Sequence, residues 1–349
     1  MKEENFNITC STDDKYVQHC MVMLCSLFEN NTEKNFFVHI LINCLSENNQ
    51  EQLRSLATRY GNEVYFYKVN ENILDGVKFR NKRPLTKAAY YRLLLPSILS
   101  ELKTVLYLDC DIVVLGDVSE LFHIDLSDFA LAACLDPMPF SDTHRRQINH
   151  PVGTKTFCSG MMYINLDYWR SHDSERKCLD FAKKERTPVY LHDQDVFNYV
   201  FRDQWFLLPP KWNVSPMAKN IFWEGYKMFD YVEYYTQPQI YHYCAHIKPW
   251  QNLMSLKRSY YLKYLKLSGF KSPKIEETTL KEKLKALFWC IDVVYWKNID
   301  PYLPFIISGL IKEFINMYRL MKICLFKITN NRQKWINQVK YFRYEKFLR

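Results

Sequence analysis

Two carboxylates, Asp109 and Asp111, close the apolar run Val105-Leu-Tyr-Leu108 and lead into Ile112-Val-Val114. Side chains two apart on extended backbone project to the same side, so the pair offers anionic oxygens to one point. Bare charges there would be costly to desolvate, and oxygen ligands of this kind favour Mg²⁺ or Mn²⁺. Other residues with chemical capacity lie far apart in the chain. Arg92 stands among large apolar neighbours in Ala89-Tyr-Tyr-Arg-Leu-Leu-Leu95, where a permanently charged fork either pairs at a core edge or approaches a phosphate or sugar. Asp136 ends the apolar run 129–135, Asp193 and Asp195 open the segment after His192, and His242 precedes Lys248 by six residues. Beside separated acidic sites, His242 is a candidate third metal ligand.

An Asp-x-Asp at a strand exit also serves simply as a turn or helix cap. A sharper rival is chemical: Asp109-Cys-Asp-Ile-Val113 fits the nucleophile loop of haloacid-dehalogenase-type phosphatases, with Asp109 as nucleophile.

The surrounding segments decide what can hold these groups in place. The chain reads as strand 6–10, helix 17–28, strand 36–42, helix 46–59, strand 64–69, amphipathic helix 86–99, the strand ending at Asp109, strand 129–135 and a strand-like run 156–166 with a Ser159-Gly160 step. Strands alternating with helices are the signature of an α/β fold, and the unbroken apolar stretch before Asp109 reads as a strand buried on both faces of a parallel or mixed sheet. Ser11, Thr12 and Asp13 are N-cap candidates for the first helix, and the same strand-to-helix turn is where nucleotides bind in open α/β folds. No Gly-x-Gly-x-x-Gly is present, which argues against a Rossmann dinucleotide site.

With 349 residues and 48% apolar composition the chain can bury a large core plus an appendage. Eleven cysteines, none in a Cys-x-x-Cys pair, suggest neither a zinc ribbon nor a disulfide framework and point to reduced thiols in the cytosol. Met1-Lys-Glu-Glu-Asn-Phe-Asn-Ile8 lacks a long apolar stretch, so no signal peptide is expected. The net charge of +9 is unevenly placed: residues 271–349 hold 16 basic against 7 acidic side chains, and the first 270 hold 31 of each. From Arg319 to Arg349 nine basic residues are interleaved with aromatic ones against the single acid Glu345. Such a segment suits an anionic bilayer surface. The apolar run Tyr302–Ile311 is only ten residues, too short to span. Nucleic acid also attracts basic and aromatic segments.

Taken together, Thr12-Asp-Asp-Lys-Tyr16, Tyr91-Arg-Leu93, Val105-Leu-Tyr-Leu-Asp-Cys-Asp-Ile-Val-Val114, Phe157-Cys-Ser-Gly-Met-Met-Tyr-Ile-Asn-Leu166, His192-Asp-Gln-Asp195 and His242-Tyr-Cys-Ala-His-Ile-Lys-Pro-Trp250 resemble glycosyltransferase family 8, nearest to bacterial lipopolysaccharide galactosyl- and glucosyltransferases. Six segments in the right order over residues 6–265 outweigh the phosphatase loop. The resemblance implies a GT-A fold with a mixed, mainly parallel sheet, a UDP-sugar donor, Mn²⁺ (Mg²⁺ as a substitute) and retention of configuration. By position it implies metal ligands Asp109, Asp111 and His242. It implies cofactor-binding residues Thr12, Asp13, Lys15, Tyr16, Asp109, Cys110 and Lys248, with Asp13, Lys15 and Tyr16 at uracil and ribose and Lys248 at the diphosphate. Arg92, Asp136, Asp193 and Gln194 fall around the donor sugar as catalytic candidates. Two departures stand out: Cys158 replaces the usual amide before Ser159-Gly160, so sugar identity does not carry over, and Ala245 stands where glycine is usual.

The expectation is therefore a GT-A domain over 1–268 and a basic, aromatic-rich helical extension over 269–349. The enzyme moves a hexose from a UDP-sugar to a lipopolysaccharide or other glycan or glycolipid acceptor. It sits in the cytoplasm, peripheral on the inner face of the membrane through the extension, without nucleic acid. The alternatives are the phosphatase with Asp109 as nucleophile, and an inactive membrane- or nucleic-acid-binding module.

Overall fold

The computed structural model describes residues 6–77, 87–136, 150–151, 153–184, 192–215, 237–244, 248–251 and 255–271. Ala245 and all but the first three residues of the 269–349 extension lie outside these. Among the described residues no helix is long and apolar enough to cross a membrane.

A seven-stranded mixed sheet organises the chain, in the order β3-β2-β1-β4-β7-β6-β8. β1 (Phe6–Ser11) pairs in parallel with β2 (Phe36–Ile42) on one side and β4 (Thr104–Leu108) on the other, and β2 pairs in parallel with β3 (Glu63–Lys68). β7 (Phe157–Asn165) is antiparallel to both β4 and β6 (Leu131–Leu135), and β6 is parallel to β8 (Trp205–Leu207). A separate two-stranded ribbon joins β5 (Ile112–Val114) to β9 (Ile240–His242). β2 occupies the range read for it from the sequence, an apolar run broken only by His39.

Alternating side chains of β4 feed two apolar layers. Leu106 and Leu108 join the layer built with α1 (Val17–Glu29), α2 (Glu47–Arg59) and, later in the chain, the helix Arg258–Ser268, while Val105 and Tyr107 join the layer on the opposite face. A strand buried on both faces carries no polar position until it ends, which is why the charges of Asp109 and Asp111 appear only at its exit.

The helix expected over 86–99 is instead a 3₁₀ run, Lys87–Leu94, followed by one α-turn, α3 (Leu95–Ile98), with Pro96 in its first turn. Proline lacks the N–H and its ring collides with the carbonyl four residues back, so a continuous α-helix through position 92 is excluded. Within this run Arg92 is buried and its Nε donates to the Ala89 carbonyl at 3.0 Å. Thr86 lies outside the described residues. Among the described residues the further α-helices are, in order, α4 (Ser119–Phe122), α5 (Leu166–Ser171), α6 (Ser174–Lys183), α7 (Asp193–Val200) and α8 (Arg258–Ser268).

Candidate active site

The strand order reverses at β1: the chain continues to β2 on one side and returns to β4 on the other. Open α/β sheets form a crevice at the carboxyl ends of strands at such a point. The loop after β1 brings Thr12 to Tyr16 to it, and the loop after β4 brings Asp109 to Asp111. Because β7 runs antiparallel, its beginning reaches the same edge, with Leu108 opposite Met161 and the Asp109 N–H donating to the Gly160 carbonyl at 2.8 Å.

Pairing of Ile112 with His242 in the β5–β9 ribbon carries the histidine to the carboxylates. Ligand atoms of Asp109, Asp111 and His242 all lie within 4.8 Å of one another. His242 Nε2 is 3.2 Å from Asp111 Oδ1 and 3.9 Å from Asp109 Oδ2, and its Nδ1 is 3.0 Å from Asn213 Oδ1. Nδ1–H donation to the amide oxygen fixes the ring and leaves Nε2 as the ligating nitrogen. Gly160 keeps the space open: a Cβ there would fall 2.2 Å from a ring carbon of His242 and 2.9 Å from Asp109 Oδ2. Two carboxylates and one oriented imidazole around a glycine-lined gap are a ligand set that fits a divalent cation. Burial alone would push the His242 imidazole down, yet the Asp111 carboxylate raises it to about 10. Loading a metal therefore displaces a proton.

Lys248 also pairs with Asp111 and donates to the Tyr243 carbonyl at 2.7 Å. Burial would raise the Asp111 carboxyl, but Lys248 and His242 hold it well below the usual carboxylate range. On the other side Arg92 donates to Asp109 Oδ1 at 2.6 Å and to the Ser159 carbonyl at 3.0 Å, and lies 3.3 Å from Asp193 Oδ2. Its guanidinium packs 4.2 Å from the centroid of the Tyr107 ring, whose hydroxyl donates to Asp109 at 2.9 Å.

Asp193 and Gln194 begin α7, after His192 at φ 57, ψ −125. Such backbone costs about 1–3 kcal/mol and stands immediately before the turn that carries Asp193 and Gln194. Ser159 Oγ donates to Asp193 at 3.1 Å. Burial pushes the Asp193 carboxyl up to about 6 against the pull of Arg92. Gln194 is bonded at both ends of its amide: it donates to Asp136 at 2.6 Å and accepts from the Ser159 N–H at 3.2 Å. Arg92, Asp109, Asp136, Asp193 and Gln194 thus form one connected network.

The β1 side is quieter. Tyr16, not Ser11, Thr12 or Asp13, is the N-cap of α1, and it makes no side-chain capping bond. Asp13 forms the turn before it, accepting at Oδ1 from the Lys15 and Tyr16 N–H groups at 2.9 Å each. Thr12 is buried and Lys15 exposed. Tyr16, 42% exposed, stands edge-on to Trp250, which stacks on His19 with centroids 3.6 Å apart. Cys110 turns its thiol into the core and donates to the Ser11 carbonyl at 3.2 Å. It meets the crevice by its backbone.

Sequence reasoning passed over Tyr107, Asn213 and the His19–Trp250 pair, and saw in Ser159 only a companion of Gly160. Tyr107 had a usable signal, since it lies two residues before Asp109 on one strand face. Asn213 had none, because it meets His242 only through the fold.

The glycosyl transferase family 8 model matches residues 7–254. The chain is 28% identical over 294 residues to General stress protein A of Bacillus subtilis (strain 168), covering 79% of this chain and 99% of that protein. It is 30% identical over 256 residues to a lipopolysaccharide 1,2-glucosyltransferase of Escherichia coli, covering 72% and 75%. In fold it is similar to the galactosyltransferase LgtC solved with donor and acceptor sugar analogues, with a TM-score of 0.67 at 22% identity over 80% of this chain and 100% of that one. The α/β arrangement is that of GT-A glycosyltransferases.

Proposed function

This chain belongs to glycosyl transferase family 8, and from that premise we propose that it moves a hexose, glucose or galactose, from a UDP-sugar to a lipopolysaccharide or other cell-surface glycan, with retention of configuration. The observation that carries the reading is the convergence of Asp109, Asp111 and His242 within 4.8 Å beside Lys248 and Arg92 at the crevice. Asp109, Asp111 and His242 would hold Mn²⁺, with Mg²⁺ as a substitute, and the ion supplies charge neutralisation to a diphosphate leaving group. Lys248, already oriented by Asp111, adds a fixed positive charge on the same side. Thr12, Asp13, Lys15 and Tyr16 are the residues we assign to uridine, with Cys110 contributing backbone. Arg92 and Asp136 orient Asp193 and Gln194 beside the donor sugar.

A double displacement needs an activated nucleophile beneath the anomeric carbon. Asp193 has its Oδ2 charge drawn off by the Arg92 guanidinium and the Ser159 hydroxyl, and Gln194 is a neutral amide bonded at both ends. We therefore favour front-face transfer, in which the departing phosphate assists the acceptor hydroxyl. Family membership leaves the phosphatase reading without support, and Asp109 is a poor nucleophile with Oδ1 engaged by Arg92 and Tyr107.

Calorimetric titration with UDP tests the core of this reading. Binding is expected with Mn²⁺ and is lost on chelation; metal-independent binding, or none, ends it. The residues after 270 are assigned to the inner face of an anionic membrane on their charge, each basic side chain contributing roughly 1 kcal/mol near such a surface. Truncation after Ser268 is expected to release the protein from anionic vesicles while UDP-sugar hydrolysis persists. A truncated protein that still sediments fully with them at moderate salt would move that contact to the catalytic body.

A further inference from the structure

The Asp109–Asp111 turn serves two faces of the molecule. Its carboxylates meet His242, Lys248 and Arg92, while Cys110 between them points back into the apolar layer that contains Cys10 of β1 and Cys20 of α1. The three Sγ atoms all lie within 4.8 Å of one another, with Cys10 and Cys20 3.7 Å apart. Cys10 and Cys20 are fully buried, and Cys110, 7% exposed, is the one closest to solvent. All three are free thiols. Cysteine packs well as a small apolar side chain, but packing does not require three thiols, from a strand, a helix and a loop, to close into a triangle. Sulfurs bound to one Zn²⁺ at about 2.3 Å stand roughly 3.8–4.0 Å apart, so the observed spacing approaches a coordination shell with little movement.

We propose that Cys10, Cys20 and Cys110 form a second metal site, on the reverse of the Asp109–Asp111 turn, that takes one thiophilic d¹⁰ ion such as Zn²⁺ or Cd²⁺. Soft thiolates select such ions, and carboxylates suit Mn²⁺, so a single turn offers ligands of different hardness on its two sides. On loading, three S–H protons pass to solvent and three metal–sulfur bonds form, leaving a tris-thiolate with one net negative charge. Cys110 is covalently continuous with both carboxylate ligands, so the two sites share a backbone.

Full-length protein in excess Mg²⁺, given one equivalent of Zn²⁺, is expected to show three sulfur neighbours at about 2.3 Å by X-ray absorption; a shell of only nitrogen and oxygen overturns the site. With Cd²⁺ as probe, a thiolate-to-metal absorption band should saturate at one equivalent and resist displacement by Mn²⁺. Cys20→Ala should abolish the band and weaken Cd²⁺ binding by more than the roughly 10–100-fold that loss of an outer-shell partner alone costs, keeping Mn²⁺-dependent UDP binding, whereas Cys44→Ser, at an exposed thiol, should leave the band unchanged. A band that persists in Cys20→Ala, or that Mn²⁺ removes, overturns the proposal. Should Cys20→Ala fail to fold, the absorption spectrum of the unaltered chain decides.

Discussion

At the end of β1, Asp13 gives one carboxylate oxygen to two backbone N–H groups of its own turn, Asp14 reaches across to α2, and aromatic rings finish the wall. At the end of β4, Asp109 and Asp111 are held by Arg92, His242 and Lys248, with Asp193 sharing Arg92. One wall of the crevice is oriented by carboxylates that accept from uncharged donors and by ring stacking, the other by carboxylates paired with opposite charges out of water. The difference predicts how each responds to substitution. A buried charge pair contributes little net stability when intact, yet removing one member leaves the other stranded and costs far more than the pair was worth.

The largest effect is therefore expected at Arg92. Arg92→Met strands two carboxylates, and a loss of about 3–5 kcal/mol should appear in denaturant unfolding together with loss of transfer. Arg92→Lys should not restore either, since an ammonium cannot reproduce a fork that reaches Asp109, Ser159 and Asp193 at once. A melt of Arg92→Met within 1 kcal/mol of the parent would mean that this wall is not built on paired charge. Next, Asp111→Asn keeps the shape but removes an anionic ligand from His242 and Lys248. Transfer should drop about 10²–10³-fold, with Mn²⁺-dependent UDP binding lost. Near-normal transfer at limiting Mn²⁺ would refute the ligand assignment.

Asp193 sharpens the contrast through pH. Its folded carboxyl sits at about 6, above the value near 3.9 of an unfolded chain. Between those values the native state binds more proton than the unfolded one, so this group's contribution is complete below about pH 4 and fades as pH rises to about 6. The change is on the order of 2–3 kcal/mol. Asp193→Asn removes it, so the stability difference between parent and variant should shift across that window in favour of the parent at low pH. A difference that stays flat from pH 4 to 7 contradicts the assignment.

These two walls were unequally legible in the amino-acid sequence. Asp109 and Asp111 announce themselves because a doubly buried strand tolerates charge only at its end, and β2 is readable because His39 alone interrupts its apolar residues. The family motifs also place Arg92, Asp136, Asp193, Gln194, His242 and Lys248 at one site. Their bonding was not legible: Arg92 is 67 residues from Ser159, and His242 is 29 from Asn213, contacts that exist only after β7 and β9 have paired. The helix expected over 86–99 failed at Pro96 because apolar spacing outweighed a missing N–H. The thiol triangle was invisible for the reason Asn213 was, since Cys110 meets the strand end beside Ser11 across 99 residues.

The smallest effect is expected on the β1 wall, at Asp14. Its Oδ1 accepts from the Ser46 N–H at 2.9 Å, the Ser46 hydroxyl at 3.0 Å and Asn49 Nδ2 at 2.8 Å, so it caps α2 from the loop after β1. Exposure would leave an ordinary carboxylate; slight burial raises its pKa, and the bonds from Ser46 and Asn49 outweigh that and lower it. Asp14→Ala should therefore cost about 0.5–2 kcal/mol, the usual loss on removing a helix cap, and the melting temperature should fall by a few degrees. Asp13 keeps its own turn in this variant, so affinity for UDP with Mn²⁺ should stay within about twofold, less than the ~0.5 kcal/mol scatter of surface substitutions. The asymmetry is the test. If Asp14→Ala eliminated UDP binding as fully as Asp111→Asn, the two walls would be equally sensitive to the loss of one carboxylate, and the contrast between a wall of uncharged donors and a wall of paired charges would fail.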